Sequence, residues 1–230
     1  AAYLALYDRE GNSLAEGEIH GQNGGYPIAI ALSNDAVKLA VSMININEGS
    51  VKSTIAFYNY GTVGQNEIDH CVGVNNYDDM VIPEMEFTSN DRMVAFGDTK
   101  AVIFEGAQKP QAIAEIPMDE KTKSIFYNEH YIGIVTGNED EAVTNHLAVY
   151  DENGKLVMEK DFGLDYSSIE FLTNNEICIR NANVCDIYTV HGVYKFHHEF
   201  EEELFEIIPG KLKLNYTLVL KDTTQRIRLK

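Results

Sequence analysis

Apolar and polar residues follow one another in short runs along the whole chain, and no stretch of useful length keeps a helical period. The run 28–32, IAIAL, is continuous and short enough for a buried strand; Ser33, Asn34 and Asp35 break it, and 38–42, KLAVS, begins the next. Residues 54–60, TIAFYNY, are rich in β-branched and aromatic side chains, as strands are. The pattern restarts at 85–87, 93–96, 101–104 and 111–116, again at 124–127 and 131–135, and again at 169–172, 176–179, 186–190 and 194–200. A last set covers 205–208, 212–220 and 225–229.

One hairpin is written twice. Residues 147–159, LAVYDENGKLVME, read as a strand, a tight turn at Asp151-Glu152-Asn153-Gly154 and a returning strand. Residues 4–16, LALYDREGNSLAE, repeat the text, with Leu14 one place out of register against Leu156. Asp8 and Asp151 are then turn residues that fold back on their own backbone. Aromatic residues at the third-strand place, Tyr7, Tyr58, Phe104, Tyr150 and Tyr188, set a steady beat. Four short strands in about 40–50 residues make one blade of a β-propeller. A single twisted sheet cannot bury both faces, so blades stack on one another. A β-sandwich would show similar strands, but the duplicated hairpin and the period favour the all-β propeller. The expected repeats are 26–78, 79–118, 119–165 and 166–202. The pieces 3–18 and 203–230 either share a fifth blade or leave an incomplete arc of a larger propeller that pairs with another chain.

Composition narrows the partners. Lys and Arg total 18 against 36 Asp and Glu, a formal net charge of −18. Such a surface repels phosphate backbones and anionic membranes, which argues against nucleic acid and favours cations or basic partners. The three cysteines, Cys71, Cys178 and Cys185, form neither a disulfide scaffold nor a zinc module. No apolar run approaches the roughly 18 residues of a membrane helix. The chain opens on Ala1 and is inside a strand pattern by Leu4, so it reads as a trimmed piece whose targeting segments are uninformative.

Residues 28–42, IAIALSNDAVKLAVS, resemble the SPDG-x-x-LA strand–turn–strand of WD40-like and TolB-like propeller repeats, with Asn34 and Ala36 in place of the motif's Pro and Gly. The whole chain also resembles a Firmicutes domain-of-unknown-function family, through Tyr26-Pro27, the LAVS run, Val51-Lys52-Ser53, Phe57-Tyr58-Asn59, Gly61 to Asn66, Tyr131-Ile132-Gly133 and Lys195-Phe196. That resemblance implies an N-terminal membrane anchor outside this chain and a propeller-like region outside the cytoplasm. It implies no activity and no catalytic motif.

Candidate chemistry is sparse. In His197-His198-Glu199-Phe200-Glu201-Glu202-Glu203, strand alternation would put His197, Glu199, Glu201 and Glu203 on one face, a weak metal candidate against a solvated acidic strand. Cys178 and Cys185 flank a turn centred between Asn181 and Ala182, which would place them opposite each other as a cross-strand disulfide or as two small buried thiols. Asp69-His70-Cys71 are adjacent on an extended chain and point apart, so they make no dyad. The acidic stretches Asp78-Asp79 and Asn138 to Glu141 lack a calcium-loop spacing, and no phosphate loop or nucleophile elbow is present. No cofactor is expected. Two polar excursions, 45–53 and 61–79, break the tight-turn pattern and carry the binding candidates Tyr58, Tyr60, Gln65, Asn66 and Tyr77. The reading is a non-enzymatic recognition module for a protein or glycan ligand. The alternatives are a glycan-active hydrolase or lyase on the same scaffold and a self-assembling spacer.

Overall fold

A computed structural model describes residues 2–7, 9–19, 25–47, 49–61, 70–118, 121–137 and 144–229. Every regular element among them is a strand, and the chain divides into two compact units, Ala1–Glu120 and Lys121–Lys230.

In the first unit, β1 (Ala2–Tyr7) pairs only with β2 (Ser13–Ile19) among the described residues. Then β3 (Tyr26–Leu32), β4 (Lys38–Asn47), β5 (Ser50–Asn59) and β6 (Cys71–Asp78) form a four-stranded antiparallel meander. A second meander holds β7 (Glu84–Ser89), β8 (Arg92–Phe96), β9 (Lys100–Glu105) and β10 (Gln111–Pro117). Ile55, Phe57, Met85, Phe87, Met93 and Phe104 pack between these two sheets, with the Phe57 and Phe104 rings 5.1 Å apart. Deletion of one such buried aromatic side chain typically costs about 3–5 kcal/mol. Two buried serines tie the linker to the sheet: Ser42 Oγ donates to the Ile82 carbonyl at 2.8 Å and Ser53 Oγ to that of Met80 at 2.6 Å. At one end, buried Lys38 donates through Nζ to the Asn90 carbonyl and to Asp91 Oδ1, both at 2.7 Å.

In the second unit, β11 (Thr122–Tyr127), β12 (Tyr131–Gly137), β13 (Asn145–Asp151) and β14 (Leu156–Phe162) form a meander. Another holds β15 (Ser168–Phe171), β16 (Glu176–Arg180), β17 (Val184–Thr189) and β18 (Tyr194–Glu199). A final sheet has three strands, β19 (Leu204–Pro209), β20 (Asn215–Leu220) and β21 (Thr224–Arg228). Phe126, Leu147, Val149, Phe162, Ile177 and Tyr188 fill the first gap; Cys178, Ile187, Leu204, Ile207, Tyr216 and Leu218 fill the second. Four-stranded meanders that bury apolar side chains between consecutive sheets are the blades of a β-propeller.

The duplicated hairpin folds as its text requires. Asp151 Oδ1 accepts from the Asn153 and Lys155 amides, each at 2.9 Å, and Gly154 takes φ 76°, which its missing side chain permits. Tyr150 faces Leu156 across a bulge after Val149; in the first copy Tyr7 faces Ser13 across a bulge after Leu6, and Gly11 takes φ 86°. Ser13 therefore fills the place of Leu156, which accounts for the offset of Leu14. Asp8 lies outside the described residues. A third copy appears at 187–194: Tyr188 faces Tyr194 after a bulge, Gly192 takes φ 79°, and Thr189 Oγ1 accepts from the Val193 amide at 3.1 Å in the place of the aspartate.

One expected excursion is corrected. Residues 45–53 are not a loop: β4 and β5 stay paired as far as Asn47 and Ser50, and Gly49 turns at φ 84°. Among the described residues of the terminal pieces, β1 pairs with β2 in one unit, and β19, β20 and β21 form a sheet in the other.

Candidate ligand groove

Among the expected binding residues that the structure describes, Tyr58 and Tyr60 lie apart from Tyr77. Gln65 and Asn66 lie outside the described residues. Residues 71–78 of the second excursion are strand β6, so Tyr77 is a strand residue and not a loop tip. Tyr77 packs on the face toward β7–β10, under Lys100 Nζ at 5.7 Å from its ring. Tyr58 and Tyr60 pack on the opposite face, with Leu39, Val41, Met43 and Leu4. The Tyr60 ring lies 4.9 Å from that of His70, a residue at φ 52°. Burial, helped by Glu115, pushes the Tyr77 hydroxyl up to about 12, so it stays neutral at physiological pH. These tyrosines serve sheet packing.

Of the metal candidates, His197 and Glu199 are neighbours and Glu201 lies beyond their strand. Strand β18 ends at Glu199, so its alternation does not continue to Glu201 and Glu203. His197 turns toward Asp186, whose Oδ1 lies 2.7 Å from its Nδ1, and Tyr194 donates to the same oxygen at 3.1 Å. Glu199 Oε1 is 4.0 Å from His197 Nε2, whereas Glu201 lines a groove together with His198.

The cysteine register is one residue away from the expected one. Asn181 Oδ1 accepts from the Asn183 and Val184 amides, and Asn181 N–H donates to the Val184 carbonyl at 3.0 Å, which centres the turn between Ala182 and Asn183. Cys178 therefore faces Ile187, and Cys185 faces Arg180. The two buried thiols are diagonal neighbours 3.6 Å apart, in hydrogen-bond contact and unbonded. That contact, with burial behind it, pushes the Cys178 thiol far above its ordinary range, so it is no nucleophile in this state.

A buried polar cluster sits beside them. Glu176 at the start of β16 accepts from Tyr216 at 2.5 Å and pairs with Lys195, whose Nζ also donates to the Tyr216 hydroxyl at 3.1 Å. Burial raises the Tyr216 pKa and Glu176 raises it further. For Lys195, burial is the largest influence and lowers the pKa, but its contacts with Glu176 and Tyr216 outweigh it, and the net shift is upward. The three groups satisfy one another and fasten β16, β18 and β20 together, a use of buried charge that needs complete pairing.

The concave site lies at the edge of the same interface. A groove of about 490 Å³ opens between β18 and the β20–β21 face. Its apolar lining is Phe196 and Phe200 on one side and Leu218, Leu220, Ile227 and Leu229 on the other. The alternation of β18 puts Phe196, His198 and Phe200 in one row: Phe196 and His198 stack with centroids 6.0 Å apart, and His198 meets Phe200 at 4.6 Å. Glu199, Glu201 and Glu202 form an acidic rim, and Gln225 and Arg228 the opposite one. The arrangement binds through apolar contact with charge at the margin. The text gives no cue to a site at Phe196, Phe200 and Ile227, because alternating apolar residues there match ordinary core.

Comparison with known proteins places the fold. The WD40 domain of Neurospora crassa Pan2 matches with a TM-score of 0.50 at 6% identity, over 97% of this chain and 68% of that one. The β-propeller domain of the trilobed protease from Pyrococcus furiosus gives 0.49 at 10% identity, covering 88% of this chain and 70% of that one. BamB from Moraxella catarrhalis gives 0.43 at 11%, covering 96% and 64%. No curated protein matches the chain. Residues 1–229 match the model described as "Family of unknown function (DUF5711)", and the chain, a β-propeller in fold, belongs to that family.

Proposed function

We propose that the protein is a non-enzymatic binding module and that the groove between β18 and the β20–β21 face holds its ligand, a segment of another protein. The groove itself carries this reading: an apolar floor with aromatic walls, bordered by three glutamates, on a chain of net charge −18. Apolar side chains of a ligand fill the floor, and lysine or arginine beside them meets Glu199, Glu201 and Glu202. Tyr58, Tyr60 and Tyr77 pack against the sheets, and the groove offers the more open apolar surface.

A displayed library of short random peptides, selected on the purified protein, tests the proposal. Enriched sequences combine apolar and basic residues and lose binding to the triple variant Glu199→Lys, Glu201→Lys, Glu202→Lys, whose thermal unfolding matches the parent. Enriched peptides that bind parent and variant equally contradict the assignment.

A further inference from the structure

The hydrogen bonds of the β16–β17 hairpin fix where its two thiols stand. The Asn181 amide donates to the Val184 carbonyl at 3.0 Å, so these two residues form a hydrogen-bonded pair. Bonded and non-bonded pairs alternate along an antiparallel ladder, which makes Cys178–Ile187 and Arg180–Cys185 consecutive non-bonded pairs. Their four side chains share one face of the sheet, and non-bonded pairs are the ones in which the two strands come nearest. The thiols occupy the diagonal between these pairs, 3.6 Å apart, and neither reaches solvent.

A diagonal permits a disulfide but strains it. The sulfurs already touch, and a bond brings them from 3.6 Å to about 2 Å. Diagonal positions in a sheet stand about 7–8 Å apart at Cα, wider than the roughly 5.5–6 Å of a relaxed disulfide, so closure twists β16 against β17. The loop it closes, 178–185, is short, which limits what the bond gains by restraining the unfolded chain. Both effects make the disulfide easy to reduce, as suits an exchanging pair rather than a permanent cross-link.

Access to the pair is controlled by the neighbouring sheet. Leu204, Ile207, Tyr216 and Leu218 pack in one cluster with the thiols, and the contacts among Glu176, Lys195 and Tyr216 hold that sheet down. We propose that Cys178 and Cys185 form a redox site that closes to a disulfide and reopens by exchange with small-molecule thiols and disulfides when the β19–β21 sheet lifts. On lifting, one thiol loses its proton to water and its thiolate attacks one sulfur of the small disulfide. A mixed S–S bond forms, the small molecule's own S–S bond breaks, and one small thiolate leaves and takes up a proton. The second cysteine, deprotonated in turn, attacks the protein sulfur of the mixed disulfide and expels the second small thiol. The protein pair gives up two electrons and two protons, and the two small thiols carry them away. Cys185 faces His198 across β17 and β18, so the twist reaches the aromatic row of that strand.

The test uses the 230-residue chain with Cys71→Ser, which leaves the pair as its only thiols. The folded protein is equilibrated with reduced and oxidised glutathione in varied ratio, quenched in acid, alkylated under denaturing conditions and weighed by mass spectrometry. The expected result is a form lighter by two hydrogens, with Cys178 and Cys185 joined in the peptide map. Its share follows the glutathione ratio, and excess reduced glutathione returns it to the dithiol. The ring signals of His198 in nuclear magnetic resonance shift between the two forms. Tyr216→Phe, which removes two hydrogen bonds holding the sheet down, speeds closure by about tenfold. The redox site is overturned by thiols that stay open in oxidised glutathione while the urea-unfolded chain closes, by a mixed disulfide that never resolves, or by a bond that excess reduced glutathione leaves intact. Equal closing rates in Tyr216→Phe and its parent overturn the lifting of the sheet as the gate.

Discussion

At the scale of the residue, two features carry most of the local argument. Gly133 in β12 lies against the Phe126 ring, and a Cβ there would run into its Cζ. Phe126 is itself held at 4.5 Å from Phe171, so the ring cannot step aside freely. We expect Gly133→Ala to lower stability by about 1–3 kcal/mol in urea unfolding, and an unchanged midpoint would refute this packing. The second feature is the set of tyrosines held neutral. Burial, with Asp186 adding to it, pushes the Tyr188 hydroxyl up to about 12, and Tyr77 is pushed up to about 12 as well. The neutral form is the one the fold favours. Its contribution is therefore complete below the ordinary value of 10.0 and is lost as pH rises through about 12. Lys195 acts in the same sense, because its raised pKa favours the ammonium and that contribution also disappears on the alkaline side. Unfolding curves measured between neutral and alkaline pH should fall in step with phenolate absorbance; a stability constant through that rise would show that these hydroxyls are not buried.

At the scale of the element, the repeat was legible in the sequence because its signal is local. Tyr150-Asp151 followed by Gly154 fixes a turn and a bulge whatever surrounds it, and the copy at 4–16 gave the same period. The copy at 187–194 is masked in the text because Thr189 replaces the aspartate, accepting the Val193 amide in its place. The hairpin 45–53 is not legible in the text because the residues between Asn47 and Ser50 carry no Asn-Gly or Asp-Gly signature and its exposed strands alternate weakly. The cysteine register is ambiguous in the text because Asn181 and Asn183 both suit a turn, and the hydrogen bonds of Asn181 decide its centre. The strand–turn–strand at 28–42 supplies a prediction of its own. Ala36 sits at φ 57°, in the place of the glycine of the WD40-like motif. A left-handed alanine is strained, so Ala36→Gly should stabilise the protein by about 0.5–1 kcal/mol, after the extra entropy of glycine in the unfolded chain. A destabilised Ala36→Gly protein would show that the turn is held by contacts of the alanine methyl.

At the scale of the whole molecule, the sequence specified blades but not a site. Period and alternation are properties of one strand and its neighbours, and they gave an all-β propeller. The groove depends on which strand ends a sheet, and strand order follows from pairing between distant segments. Residues 196–202 and 225–229 meet only in the folded chain, and each alone resembles an ordinary strand edge. The acidic balance does carry through both scales. It argued against phosphate-bearing partners from composition alone, and in the fold three of its glutamates border the groove.

The most direct measurement of the central claim is chemical-shift mapping by nuclear magnetic resonance with a selected apolar–basic peptide. The account predicts that shifts concentrate at Phe196, His198, Phe200, Leu218 and Ile227, which line the groove. Shifts confined to residues outside the groove would contradict it.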